Sequence, residues 1–208
     1  MATSPAEAIP SAPTAERLWN LPNTITMIRA AVVPVLLLLP WVAGSRFGSE
    51  LLAWLFIAAA LTDLLDGWLA RRGQMVTRFG KLLDPLADKL LVAAALIVLL
   101  EADRIPRWGV PMVVVIIGRE LAVSGLRGLA TSEGQILAAA WAGKLKTLLQ
   151  NIAIGALLFP TPQWGLPAHS IGLGFLVAAT GLTLWSGYGY FARFFAQNGN
   201  ARRNEERA

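Results

Sequence analysis

The sequence contains no cysteine, one histidine and two tyrosines among its 208 residues. Without cysteine the chain can form no disulfide and perform no thiol chemistry. The histidine, His169, lies in a segment that we expect on the outer side of a membrane, so a general base on the inner side would have to be a carboxylate. Only 15% of the residues are charged.

Hydrophobic residues make up 55% of the chain, and the mean hydropathy is +0.55. These values favour a single membrane-embedded domain over an ordinary soluble one. The formal net charge of +5 suits anionic lipid surfaces and phosphate substrates. Because the basic residues are scattered among apolar segments, we expect no nucleic-acid partner.

The apolar segments predict an all-α integral membrane protein. A crossing takes about 20 residues, and six segments of about that length are present: 24–43, 49–71, 79–100, 110–131, 136–159 and 171–195. We expect residues 1–15 to be a disordered tail rather than a secretory signal, residues 16–196 to be the membrane domain, and residues 197–208 to be a charged, disordered tail.

Lysine and arginine are concentrated between the second and third segments, around the fourth and fifth, and after the sixth. By the positive-inside rule, this bias predicts that both termini are cytoplasmic. Trp41, Trp108 and Trp164 fall near the opposite helix ends, where an aromatic belt is expected.

Residues 63–88 carry the pattern D-x2-D-G-x2-A-R-x8-G-x3-D-x3-D. Asp63 and Asp66 share one helical face, and Asp84 and Asp88 share a face on the next helix. Clustered carboxylates repel one another unless cations lie between them, and Mg2+ or Mn2+ prefers oxygen ligands. Structural ion pairs with the nearby basic residues are the alternative, but charge next to long apolar helices is more often functional.

A second group of charges lies on the fourth and fifth segments. Arg127, Lys144 and Lys146 predict a basic wall that faces the aspartates and could bind a phosphate on an acceptor. The alternative is a topology signal with no role in binding. Arg119 lies eight residues before Arg127, which places both on nearly the same helical side about 12 Å apart. Arg119 could form a structural pair with Glu120.

The 63–88 pattern resembles, at all eight positions, the motif of the CDP-alcohol phosphotransferases, which are integral membrane enzymes. The resemblance implies a six-helix bundle, a CDP-activated donor, an alcohol acceptor, release of CMP and, commonly, a homodimer. It also implies that four aspartates bind two divalent cations, Mg2+ or Mn2+, with Asp88 as the base. By the same pattern, the CDP moiety would contact Asp63, Asp66, Gly67, Ala70, Arg71 and Gly80, while the metal ligands would be Asp63, Asp66, Asp84 and Asp88.

Further pieces, NLPNTIT-x2-R, VTRFGKLLDPLADKLL, REL-x2-SGLR and GKLKT, resemble the bacterial phosphatidylglycerophosphate synthases within that family. This resemblance implies CDP-diacylglycerol as donor, sn-glycerol 3-phosphate as acceptor and a place in the bacterial cytoplasmic membrane. Cardiolipin synthase, or transfer to another acceptor such as inositol phosphate, remains an alternative. Outside the family, the alternatives are a cation-coupled transporter and a metal-dependent phospholipid hydrolase.

Overall fold

The protein is seen here as a computed structural model, which describes residues 21–42, 44–69, 78–132, 141–160 and 165–205. For residues 21–23, 25, 63–69, 78–82, 84 and 197–205 the description is limited to the helical backbone. Most of the described chain is α-helical, as the sequence predicts. The helices are α1 (Leu21–Leu36), α2 (Leu39–Val42), α3 (Arg46–Leu69), α4 (Arg78–Glu101), α5 (Val110–Ser132), α6 (Trp141–Leu158) and α7 (Ala168–Glu205), with a 3-10 turn at Arg107–Gly109.

The first predicted segment, 24–43, is divided into α1 and the short α2. Proline at position 40 explains the division, because its ring clashes with the carbonyl four residues earlier, which is that of Leu36. α1 ends at Leu36 for this reason, and the expectation of one continuous first helix is wrong in this detail.

The helices pack into one bundle. α1 contacts α3 and α4, α6 contacts α3, α4 and α7, and α5 contacts α4 and α7. The core between them is aliphatic and aromatic, and its fully buried side chains include Leu36, Phe56, Leu96, Ile116, Ile154 and Leu176. This packing places the middle of α6 against several other helices, so α6 forms one wall of the interior.

Glycine at position 172 allows α7 to approach α6 closely. A Cβ atom there would lie 2.8 Å from Leu157 Cγ and 3.2 Å from the carbonyl oxygen of Ala153. Real Cβ atoms essentially never come as close as the first of these distances. Small residues at helix interfaces permit such close backbone approach in membrane proteins.

The connection after α4 ties three helices together at one end of the bundle. Asp103 has φ 54, and the amide nitrogens of Asp103 and Arg104 donate to the carbonyls of Leu100 and Leu99, as in a Schellman helix end. Arg104 then donates to the carbonyl oxygen of Phe159 at 2.9 Å and to Ser49 Oγ at 3.3 Å. Partial burial lowers the pKa of Arg104 below its ordinary value through desolvation.

Two stretches of described residues are long and apolar enough to cross a bilayer, Arg107–Ser132 and Ala168–Ala196. Only 22% and 39% of their apolar windows are buried within the bundle, so most positions in these windows keep some exposed surface. The core helix of a soluble protein would instead be mostly buried. A shorter apolar stretch, Thr26–Leu36, lies on α1. Because only two stretches among the described residues meet this length and hydropathy criterion, the six crossings remain a prediction.

The last helix is longer than expected. α7 continues to Glu205 and so takes in most of residues 197–208, for which the sequence predicts disorder. The segment contains no proline, and the alanine, arginine and glutamate residues that follow Asn200 are good helix formers, so the helix can continue beyond the apolar stretch although Asn198, Gly199 and Asn200 are poor ones.

Candidate active site

A cavity of about 790 Å³ runs between α3, α6 and α7 and reaches residues of α4 and α5. Its volume falls within the range of cavities that bind small molecules. Asp88 and Lys89 of α4, Arg127 of α5 and Tyr190 of α7 line it. The cavity therefore brings together side chains from regions that are far apart in the sequence.

The lining of the cavity changes from charged to apolar along α6. Lys144 and Lys146 lie at the beginning of this helix, while Ile152, Ala156 and Phe159 line the cavity further along the chain. Lys144 and Phe159 are 15 residues apart, which corresponds to about 22 Å along a helix. The cavity can thus hold an amphipathic molecule with an anionic group at one end and hydrocarbon at the other.

Glu120 connects two of the cations at the charged end. Its carboxylate forms an ion pair with Lys146, whose side chain is only 3% exposed. The same oxygen, Oε1, lies 3.4 Å from Arg119 Nη1, and Arg119 Nη2 donates to Ser186 Oγ at 3.0 Å. The predicted pair of Arg119 with Glu120 is confirmed, and Lys146 is part of the same network.

Arg127 has a different environment, although it lies on the same side of α5 as Arg119. Its Nη2 donates to the hydroxyl of Tyr190 at 2.9 Å. The guanidinium carbons of both arginines lie 5.8 Å from the centroid of the Tyr190 ring, which is within cation–π range. The predicted common side of Arg119 and Arg127 is thereby confirmed.

The aspartates of the 63–88 motif lie near the end of α3 and in the first half of α4. Asp63 and Asp66 are in the last two turns of α3, and Asp84 is one turn before Asp88 near the beginning of α4. Asp88 lines the cavity, whereas the side chains of the other three lie outside the described residues. The side chains that are described contain no group of three possible metal ligands. The four aspartates offer carboxylate oxygens, which are the ligands that Mg2+ and Mn2+ prefer.

The remaining residues of the expected nucleotide site are only partly covered. Gly67 and Gly80 belong to the helical backbone of α3 and α4, while Ala70 and Arg71 lie outside the described residues. His169, at the beginning of α7, is not among the residues that line the cavity.

Tyr190 lines the cavity although the sequence does not predict it as a site residue. Both tyrosines of the chain, Tyr188 and Tyr190, occur in the same stretch of α7. Two residues correspond to about 200° of helix rotation, so the two side chains face different sides. Tyr188 is 77% exposed and Tyr190 is 5% exposed. Sequence spacing predicts that they differ but does not show which one faces the interior.

Comparison with known proteins bears on this site. Residues 19–185 match the family model described as CDP-alcohol phosphatidyltransferase. A Bacillus subtilis (strain 168) protein named CDP-diacylglycerol–glycerol-3-phosphate 3-phosphatidyltransferase is 43% identical over 187 residues, covering 85% of this chain and 95% of that protein.

Two further relatives have similar coverage. A Mycobacterium tuberculosis (strain H37Rv) protein named probable phosphatidylglycerophosphate synthase is 41% identical over 188 residues, which is 89% of this chain and 87% of that protein. A Rickettsia prowazekii protein with the same name as the Bacillus relative is 39% identical over 173 residues, covering 83% of this chain and 93% of that protein. By this similarity over most of its length, the chain belongs to the CDP-alcohol phosphatidyltransferase family of membrane-bound enzymes.

Proposed function

We propose that the protein transfers the phosphatidyl group of CDP-diacylglycerol to sn-glycerol 3-phosphate, giving phosphatidylglycerophosphate and CMP. The observation that carries this proposal is the two-part cavity, in which Asp88 and three candidate cations share one end and apolar side chains line the other. The apolar side chains match the hydrocarbon of a lipid donor, and the cations match the phosphate of the acceptor. The names of the three relatives agree with this pair of substrates.

The apolar end suits the acyl chains of the donor. Ile57 of α3 and Ile152 of α6 line it from opposite helices, together with Phe159. Transfer of hydrocarbon from water to such a surface is favourable by about 25 cal/mol per Å² of apolar area. The donor's pyrophosphate then lies toward the charged end, where Asp88 is placed.

The charged end suits the acceptor's phosphate. A dianion that approaches carboxylates is repelled unless fixed cations offset the repulsion. Arg127, Lys144 and Lys146 all line the cavity at this end, and Lys146 is paired with Glu120. We therefore assign the main contacts with the phosphate to Arg127 and Lys144. Lys146 contributes through the ion pairs that connect it with Glu120 and Arg119.

Asp63, Asp66, Asp84 and Asp88 would hold two divalent cations, Mg2+ or Mn2+. Bound there, the cations would neutralise charge on the pyrophosphate and favour CMP as the leaving group. Asp88 would take the proton from the attacking hydroxyl of glycerol 3-phosphate. Gly67, Ala70, Arg71 and Gly80 form the remainder of the CDP site.

In the bilayer, we place six crossings: α1 with α2, α3, α4, α5, α6 and the first part of α7. The charges of α4 and α6 are concentrated in their first halves, which leaves apolar second halves for the membrane. Both termini and the site face the cytoplasm of a bacterial cell, where glycerol 3-phosphate and CTP-derived donors are available, and the enzyme acts as a homodimer.

An acceptor panel tests the proposal. The purified full-length chain in detergent would be given CDP-diacylglycerol and Mg2+ or Mn2+, with glycerol 3-phosphate, phosphatidylglycerol, inositol phosphate, inositol or serine. We expect CMP release only with glycerol 3-phosphate. Release with phosphatidylglycerol instead would make the protein a cardiolipin synthase, and release without any alcohol would make it a hydrolase.

A further inference from the structure

Tyr190 is a buried tyrosine at the charged end of the cavity, and no role in the reaction has yet been assigned to it. It lies on α7 and lines the cavity with only 5% of its surface exposed. Its hydroxyl accepts a hydrogen bond from Arg127, and its ring is near the guanidinium groups of Arg119 and Arg127. Two like charges on one helix repel each other, and the electron-rich face of an aromatic ring offsets part of that repulsion.

The two arginines differ in how they are held. Arg119 is bound by Glu120 and Ser186 as well as by the ring. The Arg127 side chain has one hydrogen bond within the described part of the chain, and its acceptor is the hydroxyl of Tyr190. The conformation of the Arg127 side chain therefore depends on Tyr190 more than that of Arg119 does.

The geometry of a guanidinium group explains why this dependence matters. Arginine has five N–H donors in a planar fork, and the hydrogen bond to Tyr190 involves only Nη2. The other donors can bind oxygens of an anion in the cavity. A long side chain that is already held loses less conformational entropy when it binds an anion than a freely rotating one does.

We propose that Tyr190 is a positioning residue for the acceptor, which holds Arg127 in the conformation that binds the acceptor's phosphate. This inference rests on the proposed function, in which Arg127 binds that phosphate. It also gives α7 a part in acceptor binding. In this role Tyr190 acts through Arg127.

The first test is the substitution Tyr190→Phe, which removes one oxygen and keeps the ring. In steady-state assays of CMP release by the full-length chain, we expect the KM for glycerol 3-phosphate to rise about tenfold, as for the loss of a hydrogen bond to a charged group. The kcat and the KM for CDP-diacylglycerol should stay within about twofold of wild type, because Tyr190 orients Arg127, which binds the acceptor and not the donor. Tyr188→Phe is the matched control, since Tyr188 lies on the same helix and is 77% exposed.

A double-mutant cycle tests whether Tyr190 acts through Arg127. In an Arg127→Ala background, Tyr190→Phe should cause no further rise in the acceptor KM, because its partner is already absent. Tyr188→Phe should be silent in both backgrounds. Independent effects, in which the two substitutions multiply, would refute the positioning role.

The measurements distinguish a failure of this inference from a failure of the proposed function. Wild-type protein that releases no CMP with glycerol 3-phosphate refutes the proposed function and this role together. Wild-type activity combined with an unchanged acceptor KM in Tyr190→Phe refutes the role of Tyr190 alone. A rise in both KM values, together with a lower Tm in detergent, would show that Tyr190 serves packing only, and would also overturn the inference.

Discussion

At the scale of single residues, the aspartates of the 63–88 motif carry the most chemistry. We predict that Asp63→Asn, Asp84→Asn and Asp88→Asn each reduce the rate of CMP release at least about a hundredfold, because each removes a charged oxygen donor from the cation site or the base itself. The assay is CMP release at saturating Mg2+, with Tm measured in detergent to show that each variant folds.

Asp103→Asn is the control for these three substitutions. Asp103 is exposed in the turn after α4 and has a positive φ, which asparagine also tolerates. Near wild-type activity in Asp103→Asn is expected. If Asp84→Asn or Asp88→Asn were equally active, the carboxylates would have no role in binding cations.

Arg127 gives a second prediction at this scale. Arg127→Ala should lower kcat/KM for glycerol 3-phosphate by about ten- to a hundredfold, which corresponds to about 1.5–3 kcal/mol for one charge-assisted contact. Arg127→Lys should restore activity only in part, because an ammonium cannot reproduce the planar fork that binds two phosphate oxygens at once. Steady-state kinetics with each substrate varied in turn would measure both effects.

The control for Arg127 is Arg193→Ala, which removes an exposed cation from α7 away from the cavity lining. Its acceptor kinetics should match wild type. A defect of Arg127→Ala that appeared only in the KM for CDP-diacylglycerol would assign Arg127 to the donor instead.

Single residues also show where sequence reasoning stops. The common side of Arg119 and Arg127 follows from helix geometry, and the structure confirms it. The partners of these arginines, Tyr190 and Ser186, are more than 60 residues away in the chain and meet them only because α7 packs on α5. No local pattern contains that information.

At the scale of helices, the contact between α6 and α7 depends on Gly172. Gly172→Ala should lower the free energy of unfolding by about 1–3 kcal/mol, because the added methyl group meets Leu157 and the Ala153 carbonyl. Thermal unfolding in detergent would show this as a lower Tm.

Gly174→Ala is the matched control, two residues along the same helix. A Cβ atom at Gly174 has no neighbour within 4 Å, so the substitution should be neutral or stabilise the helix by up to about 1 kcal/mol. Equal Tm values for the two variants would mean that α6 and α7 can move apart at Gly172 without any loss of stability.

Most helices could be predicted from the sequence because their apolar runs are long and end at charged or turn-forming residues. The predicted segments 79–100 and 110–131 differ from α4 and α5 by at most one residue at either end. The break before α2 does not follow from the sequence alone: Pro40 ends a helix here, whereas Pro34 and Pro85 lie within helices, so the presence of a proline does not show whether a helix ends. The course of α7 beyond residue 196 was missed because charged composition does not by itself distinguish a solvated helix from disorder.

At the scale of the whole molecule, the predicted orientation in the membrane can be tested directly, since the chain has no cysteine. Glu101→Cys, at the end of α4, should react with a membrane-impermeant maleimide from outside the cell. Ser132→Cys, at the end of α5, should react only after the membrane is opened. Both residues are exposed, so accessibility depends on the side of the membrane. Labelling in the reverse order would contradict a cytoplasmic active site.

The change from charged to apolar lining along α6 has a kinetic consequence. The lipid donor reaches the cavity by diffusion within a two-dimensional surface, whereas glycerol 3-phosphate arrives from a three-dimensional solution. The rate should therefore follow the mole fraction of the donor in a micelle or vesicle and the bulk concentration of the acceptor. Diluting CDP-diacylglycerol with inert detergent, at a fixed total amount of donor, slows the enzyme although no concentration in the aqueous phase has changed.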